Sequence, residues 1–118
     1  MPIMTPTRFD GALPVEGYGP GFFRVGGQVH HGSVIVVAAG VRPWGGLADE
    51  AGLLALAGQA DLLFLGLGDA PGPVPAPLAG ALARAGIMAE SMSTPSAARS
   101  YNVTLAEGRR VACALIAL

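Results

Sequence analysis

The chain contains no lysine; all seven of its basic residues are arginine. With its abundant alanine, glycine and proline, that reads as GC-rich codon bias and carries no functional meaning. Charge is scarce altogether, at 13% of residues, and the net charge is −1. No basic patch stands out, so nucleic acid is not an expected partner. A single cysteine, Cys113, excludes an internal disulfide and fits a reducing compartment. No apolar run reaches the roughly 18 residues that a membrane-spanning helix needs. The N-terminus has no basic segment followed by an apolar one, so no secretory signal is expected and the location expected is cytoplasmic. Catalytic signatures are missing as well: there is no G-x-S-x-G elbow and no Cys/His/Asp grouping at zinc spacing. Neither a metal nor a cofactor is expected.

What the chain has in quantity is apolar residues, at 52% of its 118 positions. That is enough for one packed core and argues against disorder. Residues 93–118 organise the reading. Thr94 can cap a helix with its hydroxyl, and Pro95 suits the first helical position, where no N–H is needed. Glu107-Gly108 ends that helix. Ala98, Tyr101 and Leu105 form its apolar stripe, while Arg99 and Asn102 lie on an adjoining polar face. V-A-C-A-L-I-A-L follows, apolar on both alternating faces, which predicts a strand covered on both sides.

Residues 1–20, with Pro2, Pro6, Pro14 and Pro20, read as a loose arm pinned by Ile3 or Leu13. A single domain is expected over 21–118. Residues 22–25 and 29–31 are strands joined by the tight turn Gly26-Gly27. Residues 34–38 are a buried strand. Residues 40–46 read as a loop, and 47–57 as a short helix with Asp49 and Glu50 in its first turn. Residues 61–67 are a strand, followed by a proline-rich loop. Pro77 opens the next helix, which stops at Gly86, and a strand over 87–91 leads into the final helix. The alternation predicts an α/β fold of three layers: a central mixed sheet, helices on its faces and an N-terminal β-hairpin layer.

Gly66-Leu67-Gly68 follows a buried strand, and Glu90 lies 22 residues past Gly68, which matches half of a dinucleotide-binding fingerprint. Pro71 stands where the third glycine belongs, so a structural turn is the better reading. His30 and His31 are adjacent, face opposite sides of a strand and cannot both ligate one metal. Cys113 reads as a buried small hydrophobe. The densest polar group is Ser91, Ser93, Thr94, Ser96, Arg99, Tyr101 and Asn102. Capping and packing explain most of it, with Arg99 paired to Glu90 or Glu107. The competing reading is a small-molecule or anion site near Gly66, Gly68, Thr94 and Arg99, with Tyr101 and Asn102 beside it, at the N-terminus of the last helix. Trp44, the only tryptophan, is either a lid over the core or an exposed interaction residue.

Three segments carry a family resemblance: F-R-V-G-G-Q-V-H-H-G-S-V-I-V, L-F-L-G-L-G and M-S-T-P-S-A-A-R-S-Y-N-V-T-L-A-E-G-R-R-V-A-C-A-L-I. Together they resemble the family of mitochondrial complex I assembly factor 3 and its uncharacterised prokaryotic relatives, over nearly the whole of 22–118. The resemblance implies a three-layer α/β fold with a mixed sheet, and no reaction. It implies a protein that works by binding partners, since the eukaryotic member acts in assembly of respiratory complex I at the inner membrane. The partner expected is therefore a protein, within a membrane complex or its assembly machinery. Gly66, Gly68, Thr94, Arg99, Tyr101, Asn102 and Glu107 match the family pattern, while Leu67 stands where relatives commonly have a small hydroxyl residue. The eukaryotic members carry a mitochondrial targeting peptide and this chain shows none, which implies a bacterial relative.

Overall fold

A computed structural model describes residue 9, residues 11–69 and residues 71–118. Two sheets form. β1 (Val15–Gly19), β2 (Phe22–Val25) and β3 (Gln28–His31) make an antiparallel meander. Its turns, Pro20-Gly21 and Gly26-Gly27, are two residues long. Glycines at Gly21, Gly26 and Gly27 supply the positive φ that such tight turns demand. The second sheet has five strands in the order β5-β4-β8-β6-β7. These are β4 (Val34–Val37), β5 (Gly40–Pro43), β6 (Leu62–Gly66), β7 (Met88–Met92) and β8 (Val111–Leu115). β8 pairs antiparallel with β4 and parallel with β6, so the sheet is mixed.

Alternation along the strands sorts the core into two halves. Val34, Val36, Leu62, Phe64, Val111, Cys113 and Leu115 face one side; Ile35, Leu63, Leu65, Ala112 and Ala114 face the other. The second side is covered by α1 (Glu50–Leu54) and α2 (Ala76–Arg84), through Leu53, Leu78 and Leu82. The first side is covered by α3 (Thr94–Ala106) together with the meander, through Phe23, Val25, Ala97, Ala98, Tyr101 and Leu105. The result is the three-layer α/β arrangement that the alternation of elements predicts.

Three local expectations are corrected. The arm expected over 1–20 contains β1, whose Val15 is buried against Val25 of β2. Residues 1–8 and 10, including Ile3, lie outside the described residues. The loop expected over 40–46 begins with β5, which Ala38-Ala39 turns back onto β4 as an edge strand ending at Pro43. Proline there is tolerated because an edge strand has no second neighbour to receive its missing N–H. The helix expected over 47–57 is only α1, capped by the Asp49 carboxylate, which accepts from Gly52 N–H at 3.1 Å.

The two sheets are joined by α3. The Asn102 side chain takes both backbone groups of Val15: its Oδ1 accepts the Val15 N–H and its Nδ2 donates to the Val15 carbonyl, each at 2.8 Å. From the preceding position, the Tyr101 hydroxyl donates to the Leu13 carbonyl at 2.7 Å. Asn102→Ala strands two half-buried backbone groups at once. It should cost about 2 kcal/mol, read as a lower urea midpoint at unchanged slope, with faster amide exchange at Val15.

Candidate functional site

The sequence candidates divide into two places. Gly66, Gly68 and Thr94 meet at the carboxyl ends of β6 and β8. Ser93, in extended backbone, is the N-cap of α3, and its hydroxyl accepts from Ser96 N–H. Thr94, expected as the cap, is instead the first helical residue, fully buried. Its hydroxyl accepts the Gly68 N–H at 2.9 Å and donates to the Ile116 carbonyl at 2.8 Å. Its own N–H donates to the Gly68 carbonyl at 3.0 Å, and Ile116 N–H donates to the Gly66 carbonyl at 2.8 Å. This clasp ties the end of β6, the end of β8 and the start of α3 together.

Gly66 is required by close approach. A Cβ there would lie 2.8 Å from Thr94 Cα, 2.9 Å from Leu115 Cδ2 and 3.1 Å from Ala97 Cβ. The space above the turn is therefore filled by α3 itself. Nor is the helix N-terminus open to an anion. Thr94 N–H goes to Gly68, Pro95 has no N–H, and the N–H groups of Ser96 and Ala97 go to the Ser93 hydroxyl and carbonyl. For the alternative reading, a small-molecule or anion site near Gly66, Thr94 and Arg99, the backbone donors at this end of the helix are already used inside the fold. The half-fingerprint lacks its helix: α2 begins at Ala76, ten residues after Gly66, so the helix that follows the turn in sequence does not start there.

Arg99 lies elsewhere. At about 100° per residue, five residues carry it well around the helix from Thr94, onto the outer surface. It is exposed and, among the described residues, makes no ion pair; the exposed pair Arg110–Asp61, at 3.1 Å, involves neither Glu90 nor Glu107. Trp44, expected as a possible contact residue, is 5% exposed and packs with Leu53 and Leu56, its Nε1–H donating to the Asp49 carbonyl at 3.3 Å. His30 is half-buried, with no hydrogen-bond partner at Nε2, and His31 is exposed. No group of three metal-ligating side chains occurs among the described residues, and no helix among them is long and apolar enough to cross a membrane.

Burial governs the two protonating groups of the core. It pushes the Tyr101 phenol far above its usual range, and the neighbouring Cys113 thiol pushes it further in the same direction. Burial likewise raises the Cys113 thiol, against a smaller opposing pull from its backbone hydrogen bond with Val36. Neither group is available as a nucleophile or base.

The open surface is on the outward side of α3. A groove of about 250 Å³ runs between α3 and β1, lined by Gly17, Tyr18, Pro95, Ala98, Arg99 and Val103. A second, of about 500 Å³, continues along the same face toward the end of the helix, lined by Phe9, Asn102, Val103 and Ala106. Val103 lines both and is 56% exposed. Neither Val103 nor Tyr18 was singled out by sequence reasoning. The usable signal was a β-branched apolar residue on the polar face, four positions after Arg99.

The architecture defines a small α/β domain in which Thr94, Tyr101 and Asn102 are committed to internal hydrogen bonds. By sequence, the chain belongs to the family described as proteins of unknown function DUF498/DUF598, whose model matches residues 15–116. An uncharacterised protein of Rhodobacter capsulatus is 55% identical over 108 residues, covering 92% of this chain and 87% of that protein. A crystal structure described as an outer membrane protein from Bartonella henselae is 34% identical, with a TM-score of 0.81 over 93% of this chain and 98% of that one. A Bordetella pertussis protein described as a Mth938-like domain shares the fold at a TM-score of 0.82 and 24% identity, over 99% of this chain and 92% of that one.

Two measurements check this account. Thr94→Val keeps the shape but strands the Gly68 N–H and the Ile116 carbonyl, and should cost about 2 kcal/mol, while Thr94→Ser should retain most of the stability in the same urea titration. Tyr101 and Cys113 keep protons in the fold that the unfolded chain releases. Stability is therefore complete below the ordinary thiol value and falls once the pH passes about 9, by about 1.4 kcal/mol per unit for each group released. Urea midpoints between pH 7 and 10.5 would show the decline, and Cys113→Ala should remove its first part.

Proposed function

We propose that this chain is a non-enzymatic protein-interaction domain, acting in bacteria as a relative of the complex I assembly factors it resembles. The observation that carries this reading is Val103. It is an apolar side chain on the outer face of α3, 56% exposed and lining two adjoining grooves. Tyr18, 46% exposed, extends the same surface across the first groove. Apolar and aromatic side chains flanked by an arginine have the composition of an interface core rather than of ordinary surface. The polar residues that a ligand would need point the same way, because Thr94, Tyr101 and Asn102 are already committed to internal hydrogen bonds. The resemblance supplies the partner class: a subunit of a membrane complex or its assembly machinery, with respiratory complex I first among them. A net charge of −1 offers nothing to a nucleic acid.

The test is affinity capture under mild cross-linking with the unaltered protein and with Val103→Arg. The variant should keep its stability within about 0.5 kcal/mol, because the site is exposed, and lose the specifically captured proteins. Identical recovery by both would sink the interaction reading. A captured set without complex I subunits or membrane-insertion factors would sink only the complex I assignment.

A further inference from the structure

Among the described residues, four strands lie at sheet edges: β1 and β3 in the meander, β5 and β7 in the large sheet. An unpaired edge is a template for another strand unless something blunts it. β5 ends in Pro43. The Ser91 hydroxyl of β7 donates to the Gly72 carbonyl at 2.8 Å, which holds the proline-rich loop beside that edge. β3 pairs, among the described residues, with β2 alone. β1 is different, because α3 runs alongside and forms the far wall of a groove.

The register shows which backbone groups of β1 face that groove. The two-residue turn Pro20-Gly21 makes Gly19↔Phe22 a hydrogen-bonded pair, and the alternation of antiparallel ladders makes Tyr18↔Phe23 a non-bonded one. The N–H and C=O of Tyr18 therefore point away from β2, toward the free edge. The irregularity between Val15 and Gly17 shifts the phase, so that Val15 also points outward. There the Asn102 amide already occupies the place of a neighbouring strand, giving and receiving one hydrogen bond. One rung of a ladder is thus filled by a side chain, and the next, at Tyr18, is open among the described residues. Beside that open rung stands Arg99, with no ion pair among the described residues; the carboxylate that also lines the groove, Glu16, accepts the Gly27 N–H at 2.6 Å.

We infer that the groove between β1 and α3 takes an extended, acidic peptide segment of a partner protein by strand addition. The peptide's N–H donates to the Tyr18 carbonyl and its C=O accepts from the Tyr18 N–H. A carboxylate of the peptide sits against the Arg99 guanidinium, and apolar side chains lie along Pro95 and Val103. Main-chain pairing supplies the affinity in this mode, and the groove walls supply the selectivity. A fork-shaped guanidinium is suited to a carboxylate through two parallel hydrogen bonds. The inference rests on the interaction reading above and narrows it to one class of partner.

The test uses a phage-displayed library of random nonapeptides selected on the intact protein. Recovered peptides should share an acidic position flanked by β-branched residues. Bound peptide should slow amide exchange at Tyr18 and leave exchange in β3 and β7 unchanged. Arg99→Glu should weaken binding of the recovered peptides about tenfold or more, and Arg99→Lys less. N-methylation of the one peptide amide that pairs with Tyr18 should abolish binding, while methylation of the next amide should not. The inference is overturned by peptides indifferent to Arg99→Glu, by protection of β3 or β7 instead of Tyr18, by failure to recover any peptide, or by a dimer that protects Tyr18 without peptide. Protein capture that still depends on Val103 after such a result would leave the interaction reading standing. Capture indifferent to Val103 would remove that reading itself.

Discussion

The structure depends on how closely α3 lies against β6. Gly66 has no side chain to hold the helix off, and Thr94 comes within van der Waals limits of the strand. From that contact the clasp follows, because the Thr94 hydroxyl can reach both the Gly68 N–H and the Ile116 carbonyl only at such proximity. Ala97 and Ala98, both small, continue the contact up the helix. The axis fixed in this way sets the height of Tyr101 and Asn102, and these two residues hold the segment around Leu13 and Val15 in place. The position of the meander is thus decided at a glycine on the other sheet. A change at Gly66 therefore acts first on packing and only through it on the outer surface of α3.

Much of the fold was legible in the sequence because its strongest signals are long and consistent. β8 alternates between two apolar faces, and those faces enter the two core halves as the pattern requires. The bounds of α3 were legible from Pro95 and Gly108, since each can occupy its place at little conformational cost. β5 was not legible. Gly40-Val41-Arg42-Pro43 has one β-branched residue, and it becomes a strand only because β4 offers an edge to pair with. β1 was hidden in the same way, by two glycines in five residues and by a stabilising partner, Asn102, 87 positions away.

The candidate site was less legible than the fold. The polar residues of 93–102 were visible as a concentration, but their directions around the helix were not. Thr94 points inward, Asn102 sideways to β1, and Arg99 outward, so residues adjacent in sequence do three different jobs. Trp44 left two readings open, a lid over the core or an interaction residue, and it packs in the core with Leu53 of α1. Exposure of Val103 could be noticed only against the helix period, as an apolar side chain out of phase with Ala98, Tyr101 and Leu105.

The strand order has a consequence for how this protein is made. β8 lies between β4 and β6, and nothing else in the large sheet bridges those two strands. Synthesis proceeds from the N-terminus, so β4, β5, β6 and β7 all emerge before the segment that unites them. Until residues 111–115 leave the ribosome the sheet cannot close, because the inner edges of β4 and β6 lack the strand that lies between them. Both edges stay open to mispairing for as long as β8 is missing.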